Sequence, residues 1–265
     1  MNMLPLWIGT TAVAITLLYA SWLDHRDRRV PFRTWYPMLA VAVPSVCLYY
    51  AGMLMEGETR LVFSYIALSL IFSGIFYLFG SLHLFGGADA WALIFLSVCI
   101  PAFPITPLWG VPTFGFFPFS VLVNALVLNL AAPPALFIYN LLHGNRAPFP
   151  YMFLGYPVKG AEIQRHYGFV MEEIEEEADG SLSRHFLRMR DSLRRTVRGG
   201  ERRMYTKDLR EHPERYTQEL ALYRRSKTVW ISYAVPFIIP ITGGLISALF
   251  IGDIFYMILR TIAGV

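Results

Sequence analysis

The stretch Met3–Leu23 reads MLPLWIGTTAVAITLLYASWL and contains no charged residue. A helix needs about 20 consecutive apolar residues to cross the hydrocarbon core of a bilayer, so this stretch predicts a transmembrane helix. It has neither a basic segment before it nor a small-residue cleavage site, and we interpret it as a retained helix rather than a signal peptide. It ends directly at the charged segment Asp24–Arg33, DHRDRRVPFR.

Further apolar stretches follow the first one along the chain. They lie at about Trp35–Met53, Leu61–Leu82, Asp89–Phe103, Phe116–His143 and Thr228–Phe250. The composition agrees with a membrane protein, since only 16% of the residues are charged, whereas an ordinary soluble domain has about 25%. The sequence therefore predicts an all-α membrane protein with six transmembrane helices.

Most of the charge is concentrated in one segment before the last apolar stretch. Of the 42 charged side chains (23 Lys and Arg, 19 Asp and Glu), 30 lie between Asn145 and Lys227. We therefore expect spans 1–5 in residues 1–143, a small soluble α+β domain in 144–227, and span 6 in 228–265.

Local patterns predict the elements of this soluble domain. Aromatic and β-branched residues predict short strands at Tyr151–Tyr156 and His166–Met171, and helices are expected at Ser183–Val197 and Pro213–Arg225. The arginine-rich segment Arg184–Arg203 suits contact with anionic lipid or an ordinary salt-bridged surface. No motif that reads a nucleic-acid groove accompanies it, so we expect no nucleic-acid binding.

The distribution of Lys and Arg sets the expected orientation, because short loops rich in these residues stay cytoplasmic. The loop after the first helix carries four arginines, Glu56–Arg60 carries one, and Pro101–Pro118 carries none. We expect a multi-pass protein of the cell membrane. Its first loop, the Gly86–Ala88 turn and the soluble domain should face the cytoplasm, and both termini should lie outside.

Two acidic residues lie at the predicted cytoplasmic ends of different spans. Asp24 ends the first span, and Asp89 opens the fourth after Gly86, Gly87 and Ala88. Ionisable residues at membrane depth are costly and are commonly functional. Two carboxylates in contact cannot both ionise cheaply, so one can take a proton from water while the other donates one to a carbonyl, as in aspartic proteases. The two glycines would allow another backbone to approach Asp89 closely.

Each carboxylate also has a purely structural interpretation. Asp24 can be an interfacial anchor beside arginines, and Asp89 can cap a helix. Asp27 lies further into the basic loop and is expected to be solvated. Asp253 is expected towards the outer boundary as a helix-end or interfacial residue. A secondary transporter or channel would also contain carboxylates and broken helices, but it predicts charges at the midplane and inverted repeats. A structural subunit of a membrane assembly is a third alternative.

Asp24, the basic stretch after it, Val30-Pro31 and the Gly86–Asp89 segment resemble the prepilin and preflagellin peptidases, which are membrane aspartyl proteases of the GxGD class. The similarity is closest to the archaeal preflagellin peptidases and extends to six spans and a cytoplasmic insert before the last span. In this chain Ala88 stands at the second glycine of the motif.

The resemblance implies a function. Asp24 and Asp89 would be the catalytic pair, with Gly86, Gly87 and Ala88 as the surrounding motif and with no metal or cofactor. The substrates would be precursors of flagellin or pilin-like subunits, whose short basic leader is removed at the cytoplasmic membrane face. As a further hypothesis, the acidic run Glu172–Asp179 attracts this leader; alternatively, the run is a solvated loop that balances nearby arginines.

Two features qualify this resemblance, the residue two positions after the second aspartate and the absence of a CxxC pair. Relatives often have a lysine two residues after the second aspartate, where this chain has Trp91. The chain has no CxxC pair, and its cysteines, Cys47 and Cys99, lie within apolar runs. We therefore predict neither a structural zinc site nor the methyl transfer associated with bacterial prepilin peptidases. Pro236 and Pro240 predict either an irregular last span or a simple kink.

Overall fold

The computed structural model of the chain describes residues 2–82, 84–112, 114–187, 204–233 and 236–263. The described residues are mostly helical, and they form two compact units. The first unit joins Met1–Leu130 to Pro236–Val265, and the second is Ala131–Val235.

The described helices, numbered in chain order, are α1 Leu4–Asp27, α2 Tyr36–Met55, α3 Thr59–Ser81, α4 Gly87–Cys99, α5 Phe117–Leu130, α6 Ala132–Leu142, α7 Tyr151–Leu154, α8 Thr206–Glu211, α9 Thr217–Arg225, α10 Ile238–Phe250 and α11 Ile254–Ala263. The described strands are β1 Gly155–Lys159, β2 Glu172–Glu176, β3 Leu182–Phe186 and β4 Thr228–Ser232. Short 3₁₀ helices lie at Phe32–Trp35, Gly160–Arg165 and Pro213–Tyr216.

Four described helical stretches are long and apolar enough to cross a membrane: Leu4–Asp27, Phe32–Met55, Thr59–Ser81 and Phe117–Leu142. The pair α10 and α11 would be a fifth, although it is bent by 61°. Helix α4 has only 13 residues, which at about 1.5 Å per residue is shorter than the ~30 Å hydrocarbon core. The described helices therefore provide four or five full-length spans, against the six that we predicted.

The core of the first unit lies between apolar helix faces. On α1 the buried residues Leu6, Val13, Leu17 and Ala20 recur at helical spacing. Helices α1 and α2 pack together, α3 packs on α4, and α10 packs on α5 and α1. Many large apolar side chains point outward from these helices and are exposed. Such a surface is unfavourable in water and fits a lipid environment, so the chain is a membrane protein.

The predicted last span begins later than we expected. Residues Thr228–Ser232 form β4, which pairs antiparallel with β1, and the helix begins only at Ile238. Val229 and Ile231 are fully buried in the core of the second unit, so their apolar character reflects a soluble core rather than lipid. Pro240 lies in the first helical turn, where proline is tolerated. The break in the span is the bend after α10, where Gly252 has a φ of +109°.

The second unit contains the two antiparallel strand pairs, β1–β4 and β2–β3. Three of our predictions for it were wrong in detail. Tyr151–Leu154 is a helical turn, and only the end of that segment belongs to β1. The segment His166–Met171 forms isolated bridges at Phe169 and Val170 rather than a strand, and Ser183–Phe186 belongs to strand β3. The strand lets Arg184 reach across to the buried carboxylate of Glu172 at 2.7 Å. The rest of the predicted helix, from residue 188 on, lies outside the described residues. The predicted helix at Pro213–Arg225 is confirmed as a 3₁₀ turn followed by α9.

Candidate active site

Asp24 lies in the last turn of α1 and is partly buried. The helix ends at Arg28, which adopts a left-handed conformation (φ 52°) and donates its backbone N–H to the Asp24 carbonyl oxygen at 3.1 Å. The positive charge of Arg28 interacts with the Asp24 carboxylate. Asp27 is different, since it is exposed and forms an ion pair with Arg26 at 3.0 Å. The structure thus places Asp24 inside the first unit and Asp27 on its surface.

Asp89 is the third residue of α4, in the first turn, where a negative charge interacts favourably with the helix dipole. Gly86 is the N-cap, and its backbone is extended (φ −61°, ψ 137°). A Cβ atom on Gly86 would lie 2.4 Å from Asp89 Oδ2, whereas one on Gly87 would have no neighbour within 4 Å. Gly86 therefore leaves space for the Asp89 carboxylate, and Gly87 faces open space.

The two predicted carboxylates come together in the first unit. Helices α1 and α4 pack together, and the Asp24 and Asp89 carboxylates are close enough to interact electrostatically, although 64 residues separate them in the chain (residues 25–88). The Asp89 carboxylate also accepts a hydrogen bond from the backbone N–H of Ile238, the first residue of α10. The ends of α1, α4 and α10 therefore meet at one acidic site. The Ile238 donor could not be predicted from the sequence, because nearly every residue has a backbone N–H.

Trp91 takes part in an aromatic cluster next to this site. Its ring centroid is 5.1 Å from that of Phe32, in an edge-on arrangement, and 5.2 Å from that of Phe95, in a stacked one. Phe32 follows the basic loop after α1. Trp91 therefore packs against the 3₁₀ helix that follows the basic loop after α1.

Asp253 does not take part in this site. It is buried, and it accepts hydrogen bonds from the Ser120 hydroxyl at 2.9 Å and from the Tyr256 backbone N–H at 2.8 Å. The second of these bonds caps the start of α11. Asp253 is therefore a helix-end residue, as we predicted, but it is buried rather than interfacial.

The acidic run in the second unit is partly neutralised by arginines. Glu172 on β2 is paired with Arg184, and Glu176 is paired with Arg225 at 2.7 Å. Burial raises the pKa of the Glu172 carboxyl above its ordinary value, and the adjacent Arg184 only partly offsets this effect. These ion pairs agree with the alternative in which the run balances nearby arginines.

The described residues contain no group of three or more His, Cys, Asp or Glu side chains that could hold a metal ion. Of the two free cysteines, Cys47 is exposed and Cys99 is buried. The site as described consists of two carboxylates, a backbone donor and the charged end of α1.

Comparison with known proteins identifies the class of protein. Residues 11–144 match the type IV leader peptidase family, and residues 147–254 match the archaeal peptidase A24 C-terminus, type II. The chain belongs to the type IV leader peptidase family, and it is a protease that processes leader peptides. It is similar to the preflagellin peptidase of Methanocaldococcus jannaschii, with 22% identity over 250 residues that cover 91% of this chain and 92% of the relative. The resemblance inferred from the motifs is thus confirmed, and a transporter or channel is disfavoured.

Proposed function

We propose that the protein is an aspartic endopeptidase that removes the short basic leader from preflagellin or type IV pilin-like precursors. The preflagellin peptidase similar to this chain supports the substrate class. The observation that carries the proposal is the meeting of Asp24 and Asp89, which come from different helices and interact at one site.

The chemistry requires one proton shared between these two carboxylates. The ionised carboxylate removes a proton from a water molecule, which attacks the carbonyl carbon of the scissile peptide. The protonated carboxyl donates its proton to the carbonyl oxygen, which gives a tetrahedral intermediate. The carboxyl that took the water proton then protonates the amide nitrogen, which leaves as the new amine. The other carboxylate takes back a proton from one hydroxyl of the intermediate as the new carboxyl group forms. Either aspartate can begin as the base. The Ile238 N–H holds one carboxylate in position for these transfers.

The proposed topology places this chemistry at the cytoplasmic membrane face. The four arginines between Asp24 and Arg33 favour a cytoplasmic position for the end of α1. We count α4 as a short fourth crossing and the bent pair α10–α11 as the sixth, which makes six crossings in all. The soluble domain predicted in residues 144–227 then lies on the cytoplasmic side. A substrate with a basic leader before an apolar helix would present its cleavage site at this depth.

A cleavage assay tests the proposal. The purified protein in lipid vesicles is mixed with a preflagellin precursor, and the shortened product is measured by mass spectrometry. Asp24→Asn and Asp89→Asn should each abolish cleavage, because neither amide can exchange a proton in the required way. Asp27→Asn is the matched control, since it also removes an acid from the end of α1 and should cleave normally. Full activity of either Asp24→Asn or Asp89→Asn would refute the assigned pair.

A further inference from the structure

We infer that Ser21 and Thr242 are positioning residues that hold the start of α10 against the aspartate pair. The inference rests on the proposed function. Neither hydroxyl touches a carboxylate in the structure, so their action is indirect and passes through Ile238.

The two hydroxyls join α1 to the first turns of α10. Ser21 Oγ lies 2.8 Å from Thr242 Oγ1 and 3.4 Å from the carbonyl oxygen of Ile238. Thr242 is buried, and its hydroxyl is 2.9 Å from the Ile238 carbonyl oxygen and 3.3 Å from that of Leu17. Ser21 precedes Asp24 by three residues, so both side chains lie on the same face of α1.

Ile238 connects this hydroxyl network to the Asp89 carboxylate. Its carbonyl oxygen accepts from the hydroxyl pair of Ser21 and Thr242, while its backbone N–H donates to the Asp89 carboxylate. A displacement of Ile238 relative to α1 therefore changes the position of Asp89 relative to Asp24.

A second contact fixes the same end of α10 on the glycine turn. Phe237, the N-cap residue of α10, packs edge-on against Phe85 with the ring centroids 5.1 Å apart. Phe85 directly precedes Gly86, so the turn that opens α4 and the start of α10 are in contact at both Phe237 and Ile238. The hydroxyl pair adds the link to α1, which neither of these contacts provides.

Other hydroxyls in the first unit provide matched controls. Thr10 on α1 is buried, and it donates to the carbonyl oxygen of Leu6 in its own helix at 2.7 Å. Ser73 on α3 lies 3.0 Å from the Ser97 hydroxyl on α4, which makes it an interhelical pair of the same chemistry. Ser97 is eight residues beyond Asp89, so loss of this pair tests general bundle packing.

The test uses Ser21→Ala, Thr242→Val and the double variant in the full-length protein, with cleavage of the precursor followed as a function of pH. We expect kcat to fall about tenfold in the double variant, with KM within about twofold of the original, because positioning affects the chemical step more than binding. We also expect the pH–rate profile to move, since the environment of the pair changes. The conservative variants Ser21→Thr and Thr242→Ser should restore both properties, and Thr10→Val and Ser73→Ala should leave them unchanged.

Three outcomes would overturn the inference. The first is an unchanged kcat and pH profile in the double variant. The second is a fall in kcat that Ser73→Ala also shows, in proportion to its lower melting temperature, and the third is a fall in kcat that the conservative variants do not rescue. If the double variant does not fold, kcat and the pH profile of Ser21→Ala alone provide the test, because Ser21 is only partly buried and its substitution should not unfold the protein. Asp24→Asn and Asp89→Asn are measured in the same assay. If they are inactive while the hydroxyl variants are normal, only this inference fails; if they are active, the proposed function itself fails.

Discussion

Substitution of Gly86 by alanine is expected to displace the Asp89 carboxylate without unfolding the protein. The new Cβ would lie 2.4 Å from Asp89 Oδ2 and 3.3 Å from Cγ, whereas ordinary contacts begin near 3.4 Å. The carboxylate oxygen must therefore move by about 1 Å. The backbone at Gly86 has a φ of −61°, which alanine adopts without strain.

The size of the effect follows from this displacement. A misplacement of about 1 Å in a catalytic group costs on the order of 100-fold in rate, or ~2.7 kcal/mol of activation free energy. The free energy of unfolding should change much less, because the clashing oxygen is at the free end of a side chain that can rotate. Gly87→Ala is the matched control, since a Cβ there would meet nothing within 4 Å.

The assay measures kcat/KM for a precursor protein and thermal unfolding in the same detergent for both variants. We expect Gly86→Ala to lose about 100-fold in kcat/KM with a nearly unchanged melting temperature, and Gly87→Ala to cleave normally. Normal cleavage by Gly86→Ala, or an equal loss in Gly87→Ala, would refute the reasoning that space beside Asp89 governs activity.

Two further predictions concern stability. Gly244→Ala should lower the melting temperature, because its Cβ would lie 2.4 Å from the Val121 carbonyl oxygen, a backbone atom that cannot rotate away; such overpacking costs about 1–3 kcal/mol. Gly74→Ala in α3 is the control and should not lower the melting temperature, because its Cβ would meet nothing within 4 Å. Equal melting temperatures for the two variants would contradict the packing at Gly244. Glu172→Gln tests the buried carboxyl: its folded pKa lies above the ordinary 4.5, so the folded protein retains the proton longer and loses stability as pH rises from 4.5 through the folded pKa. The melting temperature of Glu172→Gln relative to the original chain should rise over this range, and a constant difference would contradict the direction of the shift.

The sequence predicted the parts of the fold that depend on long apolar stretches. Helices α1, α2 and α3 agree with the predicted spans within a few residues, because 20 or more apolar residues in sequence have few alternatives to a membrane helix. Asp24 and Asp89 could also be found, since a charged residue at the end of such a stretch is conspicuous. Both lie at helix ends on the same predicted side of the membrane, which is why the sequence predicted that they could approach each other.

Shorter apolar runs were ambiguous for a physical reason. Thr228–Ser232 is as apolar as the start of a span, but Val229 and Ile231 are buried by the second unit and β4 pairs with β1. Burial in a small core and burial in lipid select the same side chains. Similarly, the arginines after Ser183 suggested an exposed helix. The sequence does not show that Arg184 pairs with the buried Glu172, because that residue lies on a different strand.

The most direct test of the central claim is a double-mutant cycle on the cleavage rate, with Asp24→Asn, Asp89→Asn and the double variant. Two groups that share one proton act as a unit, so removal of either should cost as much as removal of both. We predict that the three variants have the same residual rate. A double variant whose loss is the product of two separate losses, or a single variant that retains activity, would contradict a shared catalytic pair.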